Sequence, residues 1–396
     1  MAQLLLLRGA RQVLTLRGPT GARRGTALQD LGIVEDGSVL IREGRIAHVG
    51  PTRRIENLKE ARRAVEIPVS GMVVMPGFVD AGIRLSQQVD DAAPLKRGKL
   101  SCLYNEVLTL LRACLQHGTL NAQARVLGQP GNTNWALQVL RQLARIGDNP
   151  VGMIRSWRPG SPATAESVQS LSVIRRRKLA YALELSLAEE HATRDGAMAE
   201  LPSTLAAASS ASGFTVNLAL NARCNGGAGE ILSQACARFR PGSIFCPPEL
   251  GVAECAAIAK SSAVAVFSST KELMEERYGT GACRVVDQGG AIALASSYDA
   301  KEAPIFSMQM VVALAVMRCK LTTEEAISAA TINAAHAVGR GHEIGSLETG
   351  KRADVVVLNL PDYRELSRRF GLNHVGIVIR DGNLVINRNR SKASGV

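Results

Sequence analysis

The pattern of hydrophobic and polar positions changes character near residue 70 of the chain. Before that point short runs alternate, and "SVLIREGRIAHVGP" places two of them on either side of Glu43-Gly44. Alternation around such a pair predicts a β-hairpin. From about residue 71, short apolar runs such as "GMVVMPGFVD" alternate with longer stretches of helical period such as "NEVLTLLRACLQHG". This order predicts parallel strands joined by crossover helices.

The later part of the chain supplies further strand candidates: "KLAYALEL", "FTVNLAL", "SIFCPP", "AVAVFSS" and "AIALASS". With "MVVMPGFVD" and "LNAQARVL" the total is seven or eight, which favours a closed (β/α)8 TIM barrel over an open sheet. A capping box of Thr322 and Glu325 begins the best-marked helix, which is predicted to run to a C-cap at Gly339.

Strand-like alternation returns near the end of the chain, in "GSLETGKRADVVVLNL" and "HVGIVIRDGNLVIN", with a turn at Asp381-Gly382. Neither flank alone has enough strands for independent stability. We therefore expect a small composite β-sandwich domain built from both termini, with residues 1–70 and 346–396 flanking a barrel of residues 71–345.

Composition narrows the class of protein. The chain has 396 residues, 46% of them hydrophobic, and no run of 18 apolar residues that would cross a membrane. Arg8 and Arg11 interrupt the apolar opening, which favours a first strand over a signal peptide. The eight cysteines form no C-x-x-C pair, so buried thiols are expected rather than a zinc site or a disulfide framework. The expected location is cytoplasmic.

The formal net charge is +12, and the clearest basic cluster is the run 175–178, "RRRK". The run has no interleaved aromatic residues and belongs to no nucleic-acid-binding module. We interpret it as a solvated helix end or loop and expect no specific nucleic-acid partner. A basic polyanion-binding protein is the functional alternative that rests on charge alone.

Two stretches carry a resemblance to a known family: "PGFVD" after a strand, and "GSLETGKRADVVVLNLPDYREL" followed by "NHVGIVIRDGNLV". They resemble the amidohydrolase superfamily and, within it, the imidazolonepropionases of histidine degradation. The resemblance implies an amidohydrolase-type barrel and a metal-dependent hydrolase that opens a cyclic amide. It also implies a zinc or iron ion held by imidazoles and a carboxylate, with an open position for water.

The metal-ligand positions that the resemblance implies do not hold metal ligands here. The family's H-x-H falls on Gly82 and Arg84, its next histidine on Ala219 and its closing aspartate on Ser297. Glycine and alanine offer no donor atom, and a guanidinium repels a cation. Asp299 lies two residues beyond Ser297, but one carboxylate without imidazoles does not hold a catalytic metal. We therefore expect no cofactor.

The substrate side of the implied pocket has changed as well. Arg125 stands where the family has a lysine, and Ser186 stands where it has a histidine. Asn221, close to Ala219, completes the set of candidate vestigial-pocket residues. For Arg84 two hypotheses stay open. In the first, it fills the former metal site and pairs with a carboxylate or a small anion. In the second, its side chain only plugs a relaxed cavity or turns to solvent.

No other catalytic arrangement is evident in the sequence. None of the six histidines lies at the carboxyl end of a predicted barrel strand, where such barrels gather catalytic groups, although His191 comes just beyond one strand. Ser296 and Ser297 lack a G-x-S-x-G turn and a nearby imidazole, and Cys224 and Cys246 lack a base.

The favoured hypothesis is a catalytically inactive imidazolonepropionase-like protein that serves as a scaffold, a ligand-binding protein or a partner subunit. A working imidazolonepropionase is the alternative. The expected partners are a small anionic ligand and either a second copy of this chain or an active homologue.

Overall fold

The computed structural model describes residues 4–84, 97–128, 133–146, 149–160, 165–187, 213–220, 228–268, 270, 279–300 and 303–389. The strands in this part of the chain are β1 (Leu4–Leu14), β2 (Ile33–Arg42), β3 (Arg45–Pro51), β4 (Val65–Pro68), β5 (Val73–Pro76), β6 (Phe78–Arg84), β7 (Thr119–Leu127), β8 (Gly152–Arg158), β9 (Ala182–Leu187), β10 (Thr215–Leu220), β11 (Ser243–Phe245), β12 (Val264–Phe267), β13 (Ala291–Leu294), β14 (Val355–Leu358), β15 (Val375–Arg380) and β16 (Asn383–Asn387).

The α-helices in the described residues span Thr52–Ile55, Arg97–Gln116, Thr133–Ala144, Ala165–Arg176, Ala228–Phe239, Val252–Lys260, Gly281–Asp287, Met308–Arg318, Thr323–Ala329, Ile332–Ala337 and Glu365–Arg368. Short 3₁₀ helices lie at Gly25–Gln29 and Ala61–Arg63. Within the described ranges no helix combines the length and apolar character that a bilayer crossing requires.

The first sheet contains strands from both ends of the sequence, in the order β16-β15-β14-β5-β1-β2-β3, with β4 paired to β1. It folds over on itself, because the hairpin tip at Gly44 lies against the tip at Gly382 and Gly44 accepts a hydrogen bond from Ala353 N at 2.8 Å. Both glycines have positive φ, and a Cβ at Gly382 would come 2.5 Å from the Cα of Gly44. The two predicted hairpin turns are therefore confirmed, and they meet.

The second sheet is a parallel barrel in the order β13-β12-β11-β10-β9-β8-β7-β6. Its ends meet beyond β13, where Ser297 N donates to Gly82 O at 2.9 Å and Arg84 N donates to Tyr298 O at 3.1 Å. These bonds bring β6 beside β13 at the barrel's carboxyl end. The predicted TIM barrel with an additional domain is confirmed.

Two sequence-based assignments need correction. The run "MVVMPGFVD" is two strands, because β5 pairs with β1 and β14 in the first sheet while β6 begins the barrel. The predicted helix up to Gly339 is also two helices, which break where the Ala330 carbonyl accepts the Val79 amide of β6 at 2.9 Å. The capping box at Thr322 and the left-handed Gly339 are as predicted.

Alternation along the barrel strands separates helix-facing residues from interior ones. On β9, for example, Leu183 and Leu185 belong to the large core between the sheet and the helices, whereas Glu184 and Ser186 point the other way. The interior of the barrel is smaller and more polar than this surrounding core, and it contains the candidate site.

Candidate functional site

Three arginines lie at or near the carboxyl ends of three consecutive barrel strands. Arg84 ends β6, Arg125 lies two residues before the end of β7, and Arg158 ends β8. Arg84 and Arg125 are direct neighbours in the strand register. The carboxyl ends of barrel strands are where this fold gathers functional side chains, so the mouth of the barrel is strongly cationic on this side.

A buried ion pair joins β7 and β9 inside the barrel, below these strand ends. Arg125 Nε donates to Glu184 Oε2 at 2.8 Å and Arg125 Nη2 donates to Oε1 at 2.6 Å. The side chain of Glu184 is 0% exposed and that of Arg125 is 5% exposed. The guanidinium carbon also lies 3.6 Å from the centre of the Phe245 ring. Two parallel hydrogen bonds and a stacked ring hold this arginine in one orientation.

Arg158 adds a second guanidinium to the same carboxylate, with Nη1 3.5 Å from Glu184 Oε1. Burial alone would raise the pKa of Glu184, but the charge and hydrogen bonds of Arg125, with the charges of Arg158 and Arg84, hold it below its ordinary value. Burial lowers the pKa of Arg158, an effect that Glu184 opposes. Glu184 is therefore an anion at neutral pH, facing three cationic groups.

Gly82 lies directly against the stem of Arg125. A Cβ at Gly82 would come 2.9 Å from Arg125 Cδ and 3.1 Å from Phe245 Cε1, which is closer than side chains normally pack. The space that the first ligand of an H-x-H would need is therefore filled by Arg125. The sequence left two hypotheses open for Arg84, filling of the former metal site or a role as a plug or solvent-facing side chain. The residue that packs beside Gly82 is Arg125.

Four of the remaining predicted positions, Ser186, Ala219, Ser297 and Asp299, can be placed in the structure. In the strand register Ala219 is paired with Ser186 on one side and with Phe245 on the other. Ser297 has a left-handed backbone with φ of 46°, and its amide binds Gly82 as part of the barrel closure. Asp299 is 2% exposed and forms a backbone bridge with Ala303. Asn221 lies outside the described residues.

Asp80 is a further buried carboxylate close to the barrel closure. Its Oδ1 accepts the amides of Gly82 and Ser296, both at 3.0 Å. Burial raises the pKa of Asp80, and the hydrogen bonds from Ser296 and Gly82 oppose that shift. These bonds tie β6 to the residues after β13, so Asp80 stabilises the closure.

The described residues do not fit a catalytic metal ion. In this part of the chain no group of three or more His, Cys, Asp and Glu side chains could hold one. Gly82, Arg84, Ala219 and Ser297 offer no imidazole or carboxylate, and Glu184 is already bound by Arg125. The adjacent guanidiniums would also repel a divalent cation.

The other candidate chemistries have no support in the described residues. His117, His336 and His374 lie away from the barrel mouth, and burial lowers the pKa of the first two. Burial raises the pKa of Cys246 well above its ordinary value, which disfavours a thiolate nucleophile. His191 and Cys224 lie outside the described residues.

The basic run 175–178 is an exposed helix end, as predicted.

Glu184, Arg158 and Phe245 were not predicted as site residues. The signal for Glu184 was present, since a glutamate at an inward position of the apolar strand "ALELSL" needs a buried partner. Arg158 was not predicted because its strand, "GMIRSWR", was not among the predicted strands. Nothing in the sequence showed that Phe245 would lie opposite Arg125.

Comparison with known proteins agrees with this fold and with the resemblance in the sequence. The Amidohydrolase family matches residues 284–385. The imidazolonepropionase of Geobacillus kaustophilus is 28% identical over 428 aligned positions, covering 97% of this chain and 98% of that protein. The imidazolonepropionase of Parabacteroides distasonis is 27% identical, covering 96% and 98%. The chain thus resembles imidazolonepropionases along nearly its whole length.

Among solved structures, a triazine hydrolase variant superposes with a TM-score of 0.74 at 14% identity, covering 97% of this chain and 95% of that one. Guanine deaminase of E. coli superposes with a TM-score of 0.66 at 16% identity, covering 98% and 100%. At these identities the superpositions establish the shared fold.

The first prediction concerns the buried ion pair. Glu184→Gln is expected to lower the free energy of unfolding by about 3–5 kcal/mol at neutral pH, because it leaves Arg125 buried without its counterion. The matched control is Glu60→Gln, which removes a 2.7 Å pair with Arg42 whose side chains are 42% and 49% exposed. Glu60→Gln is expected to lower the free energy of unfolding by less than about 1 kcal/mol, because both side chains of this pair are exposed. Urea denaturation measures the free energy of unfolding of both variants. Equal losses in Glu184→Gln and Glu60→Gln would contradict the assignment of a buried ion pair.

The same pair predicts a pH dependence. Because the pKa of Glu184 is held below its ordinary value in the folded protein, its stabilisation is complete above the unfolded-state pKa and is lost as the pH falls through the folded-state pKa. The stability difference between wild type and Glu184→Gln should therefore be constant near neutrality and shrink below about pH 4.

The second prediction concerns the packing of Gly82 against Arg125. Gly82→Ala is expected to lower the free energy of unfolding by about 1–3 kcal/mol, because the new methyl group overlaps Arg125 Cδ. In an Arg125→Ala/Glu184→Ala background most of that loss should disappear. Gly50→Ala is the matched control, since its Cβ would meet only Ile55 at 3.6 Å. An equal cost of Gly82→Ala in both backgrounds would show that Arg125 does not fill this space.

Proposed function

We propose that this chain is an imidazolonepropionase-like protein that has lost metal-dependent hydrolysis and acts as a ligand-binding or partner subunit. The observation that carries the proposal is the Arg125–Glu184 pair packed against Gly82. Where the family resemblance implies a metal and its water, this barrel has the guanidinium of Arg125, the carboxylate of Glu184 and the ring of Phe245.

The chemistry of metal-assisted hydrolysis explains why this replacement matters. Such hydrolysis requires an ion with an open coordination position, at which a bound water loses a proton near neutral pH. A guanidinium in that place supplies positive charge, but it has no coordination site and does not act as a base. The pair can therefore orient or neutralise an anion, whereas it cannot generate a hydroxide nucleophile.

The ligand that this site favours is a small anion. Arg158 has a side chain that is 26% exposed, and it shares a carboxylate that Arg125 already binds through two hydrogen bonds. The positive charges of Arg84, Arg125 and Arg158 together exceed the charge of Glu184. A carboxylate or phosphate approaching Arg158 from the mouth would gain a charge-assisted hydrogen bond there.

A partner role completes the proposal. A protein without its own catalytic site contributes to a pathway by binding a ligand or by supporting an active subunit. We therefore include a second copy of this chain or an active homologue among the proposed partners, together with a cytoplasmic location. Neither a specific nucleic-acid partner nor a membrane partner is proposed.

A working imidazolonepropionase is the second candidate function. The alignment to the Geobacillus kaustophilus enzyme, which covers 97% of this chain, favours it. An active enzyme would require metal ligands at positions other than Gly82, Arg84, Ala219 and Ser297. The two candidates therefore differ in a measurable property, the metal content of the purified protein.

The third prediction separates the two candidates. Protein purified without chelators is expected to contain far less than one zinc or iron ion per chain by elemental analysis, and to leave imidazolone propionate unchanged. An imidazolonepropionase of known activity, purified and assayed in parallel, provides the control. Stoichiometric metal together with turnover of imidazolone propionate would overturn the proposal.

The fourth prediction tests the anion site. Phosphate and propionate are each compared with chloride at equal ionic strength, so that general screening is the same. At least one of the two is expected to raise the melting temperature of the wild type and to have a much smaller effect on Arg158→Gln, because a ligand bound to the folded state stabilises it. Arg42→Gln, which removes an exposed guanidinium, is the matched control and should behave as wild type. Equal shifts in wild type and Arg158→Gln would exclude this site.

A further inference from the structure

The barrel interior below the Arg125–Glu184 pair contains polar side chains without protein partners. Gln123, Ser156, Asn217 and Ser243 lie on four different strands and are each at most 1% exposed. Within the described part of the chain, both amide atoms of Gln123 and of Asn217, and both serine hydroxyls, have no hydrogen-bond partner. These are six buried polar atoms in one region of the barrel.

The strand pattern places these groups in the interior. Gln123 lies two residues before Arg125 on β7, and Asn217 lies two residues before Ala219 on β10. Because side chains alternate between the two faces of a strand, each pair shares a face. In the register Asn217 is the direct neighbour of Glu184 on one side and of Ser243 on the other.

Both ends of this region are closed by charged networks. The roof is the Arg125–Glu184 pair stacked on Phe245. At the floor, Asn121 Nδ2 donates to Asp354 Oδ2 at 2.8 Å and Arg352 Nε donates to the same oxygen at 2.9 Å. The guanidinium of Arg352 also contacts the Asn121 amide oxygen. We call the space between roof and floor the central chamber.

Small side chains contribute to the walls of the central chamber. The interior of this fold is usually filled by branched Val, Ile and Leu side chains. Here Ala293 and Ala291 occupy the inward positions of β13, and Ala81 belongs to the same interior cluster on β6. These alanines are smaller than the residues that usually fill such an interior, although Ile154, Val264 and Val266 belong to the same cluster.

A buried polar group without a partner is costly, and native proteins satisfy such groups with protein atoms or ordered water. Amides and hydroxyls both donate and accept hydrogen bonds, so the complementary ligand is small, neutral and able to do both. We propose that the central chamber binds a cluster of ordered water molecules held by Gln123, Ser156, Asn217 and Ser243. This site is distinct from the anion site at the mouth, because the Arg125–Glu184 pair lies between them.

The direct test is a high-resolution crystal structure of the full-length wild-type protein. The expected result is water density within hydrogen-bond distance of Asn217 and Gln123. Magnetic relaxation dispersion of water oxygen nuclei in solution should also detect long-lived internal water that is reduced in Asn217→Leu. A chamber without density, and no difference between the two proteins in solution, would overturn the proposal.

Stability measurements provide an independent test. Asn217→Leu and Gln123→Leu are expected to lower the melting temperature by about 2 °C or more, because each removes hydrogen bonds to bound water. If the chamber is dry, the same substitutions remove an unsatisfied amide and raise the melting temperature. Asn121→Leu is the matched control, since that interior amide has protein partners and its loss destabilises in either case.

A small organic ligand is the remaining outcome. When the protein is unfolded and filtered, mass spectrometry of the filtrate would then detect about one molecule of the compound per chain. Protein refolded in plain buffer, without that compound, would melt at a lower temperature than the original sample. Either result would overturn the assignment to water. Ser243→Ala, a milder change, replaces Asn217→Leu if the larger substitution prevents folding. None of these tests measures metal content or turnover. Their outcome can therefore be told apart from the outcome of the tests of the proposed function.

Discussion

The bidentate pair between Arg125 and Glu184 is the interaction on which the rest of the candidate site depends. A buried charge is stable only when an opposite charge and good hydrogen-bond geometry accompany it. Inside the barrel, Arg125 on β7 reaches past β8 and binds Glu184 on β9. Its stem fills the space beside Gly82, its guanidinium lies on Phe245, and its charge keeps Glu184 ionised.

These features of the barrel mouth depend on one another. A glycine at position 82 is required by the stem of Arg125, and an uncharged residue at 184 would leave that arginine unpaired. A single substitution at this mouth would therefore not create a metal site. Below the mouth, the central chamber has a polar lining next to the ion pair, and this lining is consistent with bound water.

Much of the fold could be predicted from the sequence, because hairpin turns at Glu43-Gly44 and Asp381-Gly382 and the strand and helix periods are local signals. The division of "MVVMPGFVD" between two sheets could not, since it depends on the distant partner β14. The same holds for the site. Family resemblance identified Gly82 and Arg84, but the pairing of Arg125 with Glu184 joins residues 59 positions apart, and no local pattern specifies it.

We propose that the Arg125–Glu184 pair lies where the family resemblance implies a catalytic metal. The most direct measurement is a crystal structure of protein produced in zinc-supplemented medium, with diffraction data collected on both sides of the zinc absorption edge. We expect no anomalous peak at the barrel mouth and clear density for Arg125 bound through both nitrogens to Glu184. An anomalous peak beside Gly82, with Arg125 displaced from Glu184, would contradict it.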